Sequence, residues 1–232
     1  MNWPADFIDK VICGDCLGVL QDLPDGSIDL CIADPPFNVG LKYDFKFNDL
    51  MPEDEYWNWL ETRLIEIFRI LKEGSRFYIF HKDKGIFKLN PICEKIGFNF
   101  RQLLIWYGPN MPGRSIKGDW HYMHENILLF GKGKPGKLSM INAGEIANCF
   151  SVQIHTRPQS NFKGGRDHPA QKPISLYSAL IARTPGDIFL DPFCGVASSL
   201  IAAKNLNRSF IGIEINPDYC KIAEERLTQG VL

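Results

Sequence analysis

Residues 31–40 read CIADPPFNVG, an apolar run that ends in an acid, two prolines and an aromatic ring. Proline stiffens the chain and lacks an N–H, so the pair stops a strand abruptly and leaves Asp34 fixed at its carboxyl end. A second acid-tipped unit, DIFLDPFCGVASSLIAAKNLNRSFIGIEINPDY, spans 187–219 and ends one strand at Asp191 and the next at Glu214. Open α/β sheets bind ligands at the carboxyl ends of their strands, and an acid ending the second strand of such a unit suits two ribose hydroxyls. The turn between them has only Gly195 where a dinucleotide loop needs three glycines, and Phe193 and Cys194 fill it. That weakens a pyrophosphate cradle but allows a nucleoside without phosphates. A tight βα turn with a solvated Glu214 is the plain structural alternative.

The elements that must hold these tips alternate along the chain. Short strands are expected at 10–14 and 27–33, with a helix at 16–23 between them and a Pro-Asp-Gly-Ser turn before the second strand. Residues 52–72 have Tyr56, Trp59, Leu60, Leu64, Ile67, Phe68 and Leu71 near helical spacing, with Gly74 ending the helix and a strand at 76–80. A helix near 85–96 and strands at 102–107 and 126–130 follow. Order returns with helices at 174–183, 197–206 and 218–227 and strands at 187–190 and 209–213. Such alternation predicts an α/β fold, a mostly parallel sheet with helices on both faces. Residues 131–167 are rich in Gly, Lys, Asn and Ser and show little periodicity.

A length of 232 residues, 45% of them hydrophobic, suits one domain, or one domain with an insertion. The first residues lack a basic, then apolar, leader, and no run approaches the roughly 18 apolar residues of a membrane span. The expectation is a soluble cytoplasmic protein without a membrane partner. Seven cysteines without a secretion signal read as free thiols, and Cys13 and Cys16 have CxxC spacing without a second pair. His121 and His124 are an equally weak pair, so no metal is expected. The net charge of −1 is unevenly spread: residues 114–172 hold nine Lys or Arg against four acids, +5, leaving −6 elsewhere. That is the footprint of a local phosphate-binding surface, or of a solvated lysine-rich loop.

Five motifs in order resemble the amino DNA methyltransferases that use S-adenosylmethionine, in the permuted arrangement with the catalytic motif before the cofactor motif. Asp34-Pro35-Pro36-Phe37 matches the catalytic tetrapeptide, and Asp191-Pro192-Phe193-Cys194-Gly195 the cofactor loop. His168-Pro169-Ala170-Gln171-Lys172-Pro173 matches the segment before that loop, Gly14-Asp15 the amino-terminal motif, and residues 124–128 the strand after the central loop. Ala197-Ser198 departs from the Gly-Thr that the family often carries. The resemblance implies a Rossmann-like methyltransferase fold and one catalytic domain over residues 1–232, with a short target-recognition insertion at about 131–165.

It also implies roles. Asp34 accepts one N–H of a base's exocyclic amine and the Pro35 carbonyl the other, which makes the nitrogen more tetrahedral and aims its lone pair, while Phe37 stacks on the flipped base. On the cofactor side, Glu214 with Ile215 takes the ribose, Asp15 with Cys16 the adenine, and the 191–195 loop, Ser198 and Asp34 the methionine portion. His168, Lys172 and Pro173 complete that side, with Lys172 near the cofactor's carboxylate. Double-stranded DNA is the implied partner, with Arg114, Lys117, Lys132, Lys134, Arg157 and Lys163 on phosphates and Gln159 or Asn161 on base edges. A second copy of the chain and a cognate restriction endonuclease are further partners that the resemblance admits. N6 of adenine is the expected target, because cytosine-N4 enzymes more often open the tetrapeptide with Ser. Cytosine N4, a catalytically silent nucleic-acid-binding module and a nicotinamide dehydrogenase are the alternatives, the last disfavoured by the missing glycines.

Overall fold

Ile28–Ala33 is apolar at every position but Asp29, the pattern of a strand covered on both faces. The computed structural model describes residues 1–40, 49–111, 120–139, 150–158 and 171–229. Along it run Lys10–Cys13 (β1), Cys16–Asp22 (α1), Ile28–Ala33 (β2), Glu53–Ile70 (α2), Leu71–His81 (β3), Asp83–Ile96 (α3) and Asn99–Tyr107 (β4). Then come His124–Gly131 (β5), Val152–Ile154 (β6), Ile174–Arg183 (α4), Ile188–Asp191 (β7), Ser198–Asn205 (α5), Ser209–Glu214 (β8) and Pro217–Thr228 (α6).

The strands form one sheet in the order β1-β8-β7-β2-β3-β5-β4-β6, in which β5 alone among the described strands runs against the others. Side chains alternate across it. Cys31, Ala33, Phe77, Ile79, Leu128 and Phe130 face the layer of α1, α2 and α3 through Leu20, Leu60, Leu64 and Leu89. Leu30, Ile32, Tyr78, Phe80, Ile127 and Leu129 face α4, α5 and α6 through Leu176, Leu180, Leu200 and Ala223. Where α5 crosses β8, a Cβ on Gly212 would lie 2.3 Å from Leu200, so that close approach needs glycine. Among the described residues no helix is long and apolar enough to cross a membrane.

The chain departs from expectation at the end of α2. The helix stops at Ile70 rather than near 72, and β3 starts at once because Leu71 pairs with Ile28 of β2. Gly74 therefore lies inside β3, with φ of +82°. The exposed carbonyls of this helix end attract cations. Lys132 Nζ donates to the carbonyls of Phe68 at 2.8 Å and Leu71 at 2.7 Å and lies 4.7 Å from the Phe68 ring centroid. β4 begins earlier than expected, at Asn99, and β6 was not expected; both are held by pairing with neighbours.

Lys132→Met should therefore lower the unfolding free energy by about 1–2 kcal/mol through lost capping bonds. Urea unfolding measures this, and duplex affinity against salt should keep its parental slope.

Candidate active site

Five parallel strands end side by side, so sheet order sets the order of their tips. Asp15 lies beyond β1, Glu214 ends β8, the 191–195 loop follows β7, Asp34 follows β2, and His81 ends β3. The reversed β5 brings its amino end, with His124, Glu125 and Asn126, to the same edge. The chain path diverges between β2 and β7, where a doubly wound sheet opens a crevice. A cavity of about 910 Å³ lies there, lined by Asp15, Cys16, Asp34 to Phe37, Pro192 to Gly195, Ser198, Glu214 and Ile215. Small-molecule pockets span roughly 300–1,000 Å³, so the space can hold a nucleoside-sized ligand and more.

The proline loop is braced from beneath. Tyr56 on α2 donates its hydroxyl to the Pro36 carbonyl at 2.9 Å, and its oxygen lies 2.9 Å from His81 Nε2. The hydroxyl and the neutral ring have one proton each, so with Pro36 as the hydroxyl's acceptor Nε2 donates, whereas an Nδ1–H ring would donate to the Lys82 carbonyl at 3.3 Å and accept from Tyr56. Burial pulls the His81 pKa down to about 4, so the ring is neutral. Trp57 stacks on it at 5.4 Å and Phe37 tilts against it at 5.2 Å. A Cβ at Gly85 would come within 1.8 Å of His81 Nδ1, so this packing requires glycine there. With the Pro36 carbonyl engaged, that of Pro35 accepts no hydrogen bond among the described residues. Beyond Phe37, buried Asp49 accepts from the N–H groups of Asn38 and Val39 at 2.9 and 3.2 Å and closes the loop.

Asp34 keeps 15% of its side chain exposed and lies beside two charges. Its Oδ2 accepts from Lys172 Nζ at 2.7 Å, and Lys172 Nζ also lies 3.1 Å from Glu125 Oε2. Burial pushes the Asp34 pKa up to about 6, while Lys172 pulls it down and Glu125 adds to the rise. Burial alone would lower Lys172, but Asp34 and Glu125 together hold it above its ordinary value.

On the other side, Glu214 Oε2 accepts from the Gly195 N–H at 3.0 Å and Oε1 from the Asn216 N–H at 2.7 Å. Burial holds this carboxyl above its ordinary pKa against those bonds. Each oxygen keeps a further lone pair for a hydroxyl donor. Gly195 has φ of +52°, and a Cβ there would meet no protein atom. Ala197, where the family often has Gly, is also left-handed at φ of +66°, a strain of roughly 1–2 kcal/mol for a residue with a side chain. Asp15 caps α1 by accepting from the Leu17 N–H at 3.1 Å and pairs with Arg63 at 2.8 and 2.9 Å.

Most of the expected site residues thus meet in one cavity, with three kinds of exception. Asp191 is not among the cavity's lining: it accepts from the Phe193 N–H at 2.9 Å and from the Ser199 hydroxyl, so it braces its own loop. Burial pushes it up to about 7. Pro173 is outside the lining too, as the cap of α4. Arg157 reaches the cavity, its backbone clasped by Asn110. Lys132 and Lys134 do not: β5 carries them to the opposite edge of the sheet, roughly 25 Å away at about 3.3 Å per residue. Lys132 is engaged there by the end of α2. Arg114, Lys117, Lys163, His168, Gln159 and Asn161 lie outside the described residues. Sequence reasoning missed Tyr56, Arg63, His81 and Glu125. A charge on an apolar helix face was the available signal for Arg63, seven residues beyond Tyr56 and buried against the Trp59 ring at 4.2 Å.

Residues 28–225 match the model of a family described as DNA methylase, of the N6/N4 type. The chain belongs to this family. It is 33% identical to the type II methyltransferase M.HpaI of Haemophilus parainfluenzae, over 94% of this chain and 74% of that protein. It is 28% identical to the DNA adenine methyltransferase YhdJ of Escherichia coli, over 94% and 82%. The crystal structure of the M1.HpyAVI–SAM complex shares the fold, with a TM-score of 0.74 and 23% identity over 94% of this chain and 98% of that one. This DNA methylase is an S-adenosylmethionine-dependent amino-methyltransferase, with DNA as its substrate. Its residues fit that methyl donor: the carboxylate of Glu214 keeps lone pairs for a ribose, and the left-handed Gly195 adds no side chain at its own point of the loop.

Two outcomes follow from this geometry. Glu214→Ala should weaken S-adenosylmethionine binding by roughly 1–3 kcal/mol, read by calorimetry. Tyr56→Phe should release the Pro36 carbonyl and slow single-turnover methylation by about tenfold, the worth of roughly 1.4 kcal/mol, with the methyl donor's affinity unchanged.

Proposed function

We propose that the chain methylates the exocyclic N6 of adenine in double-stranded DNA, acting on a base flipped from the duplex. The observation that carries this reading is Asp34, held at a strand end by two prolines on the same cavity as Glu214. An exocyclic amine is a weak nucleophile because its lone pair is delocalised into the ring. With Oδ2 bonded to Lys172, Asp34 has Oδ1 to accept one amine N–H, and the Pro35 carbonyl can take the other. Both acceptors favour a more tetrahedral nitrogen, and a preorganised acceptor needs no rearrangement when the reaction occurs. Phe37, half-buried against His81, gives the flipped base a face to stack on. Bound S-adenosylmethionine supplies the electrophilic methyl group.

Adenine is favoured by the aspartate that opens the tetrapeptide, and by similarity to a relative named as an adenine methyltransferase. Tyr122 and Arg157 line the same cavity and would meet the strand carrying the base.

The test is to incubate unmodified genomic DNA with labelled methyl donor and resolve the nucleosides by mass spectrometry. N6-methyladenine is expected, and Asp34→Ala should reduce it on the order of 100-fold or more with methyl-donor affinity retained. Label found only in N4-methylcytosine would reassign the base, and no label in either would overturn the reading.

A further inference from the structure

Asp34, Lys172 and Glu125 come from three separate places: the tip of β2, the segment before α4, and the start of β5. The Lys172 side chain is 4% exposed, and its ammonium lies between the two carboxylates at 2.7 and 3.1 Å. Phe37 and Phe80 flank it, with ring centroids 5.5 and 5.3 Å from Nζ. A buried carboxylate without a cation takes up a proton, and a protonated acid loses acceptor capacity.

We propose that Lys172 is a positioning residue for Asp34, holding Oδ2 so that Oδ1 faces the amine and keeping the acid ionised, while Glu125 anchors Lys172 from the opposite side. The proposal rests on the reading of Asp34 as the amine's acceptor. It differs from the role implied by family resemblance, in which Lys172 serves the cofactor's carboxylate, and rests on the two protein carboxylates that the ammonium faces.

Other groups face the cluster. Asp191 on β7 is pushed up to about 7 by burial, and Asp34 adds to that rise. Tyr177 on α4 is raised well above its ordinary value by burial and by these acids, so it stays neutral. His81 at the end of β3 is neutral as well. The signs then follow for each charge. An ionised Asp34 is the active form, so methylation falls as pH drops through its pKa. Removing the Lys172 cation raises that pKa and moves the acid limb upward. Removing the Glu125 anion lowers it and moves the limb downward. Loss of packing has no reason to give opposite signs.

The experiment measures single-turnover methylation of genomic DNA from pH 5 to 9 in wild type, Lys172→Met, Lys172→Arg and Glu125→Gln. Lys172→Met should shift the acid limb up by about one unit or more, a tenfold loss of rate per unit on that limb. Lys172→Arg should restore it, and Glu125→Gln should shift it down. Calorimetry at pH 8.5 should give S-adenosylmethionine affinities within about twofold of wild type. The carboxyl carbon of Asp34, followed by NMR in 13C-aspartate-labelled protein and assigned by its loss in Asp34→Asn, should report the same shifts without turnover. An Asp34 titration that neither variant moves would overturn the proposal, as would weakened methyl-donor binding in Lys172→Met with an unmoved limb. If Lys172→Met does not fold, the direction in Glu125→Gln decides. Should wild type methylate no DNA while the NMR shifts appear, the proposed function fails and the charge arrangement stands.

Discussion

A carboxylate drawn out of water needs a cation, and Asp34 takes its cation from a lysine 138 residues away in the chain. The rest of the site is arranged around that pair. Lys172 can reach Asp34 because β7 pairs with β2, which sets the segment before α4 against the tip of β2. Glu125 can reach Lys172 because β5 runs backwards, presenting its amino end where its neighbours present their carboxyl ends. An all-parallel arrangement would have put that residue at the opposite edge. Two carboxylates around one ammonium stay ionised only at close range, since in a buried setting desolvation of each charge opposes the pairing.

A second set of contacts stiffens the same loop with uncharged groups. Tyr56 and His81 place one hydrogen bond on the Pro36 carbonyl, and Trp57 and Gly85 confine the imidazole ring from two sides. The helix that supplies Tyr56 also supplies Arg63, whose guanidinium holds Asp15 at the far side of the cavity. One helix therefore sets the spacing between the proline loop and Asp15. Prolines alone would stiffen the tetrapeptide without aiming it.

Charge shows how a window of sequence differs from a surface. The basic stretch at 114–172 contains Lys172, buried in an ion cluster, and Lys132, bonded to helix carbonyls at the opposite edge of the sheet. Arg157 does reach the cavity. Net charge over a segment counts lysines regardless of what each one satisfies. A lysine near a helix end finds carbonyls, and one near buried acids finds carboxylates, before either is available to phosphate.

Local patterns settled much in advance. Proline pairs, acid-tipped apolar runs and helical spacing located β2, α4 and the β7–α5–β8 unit within a residue or two, along with Asp34, Phe37, Gly195 and Glu214 at their tips. These features are legible because the sequence periodicity and turn chemistry act over a few residues. What required the tertiary structure was pairing between distant segments: the start of β3 at Leu71, set by Ile28, the inward role of Asp191, and the partners of Lys172 and Lys132. A side chain's partner depends on which strands are neighbours and which way they run, and no local pattern in one sequence records that.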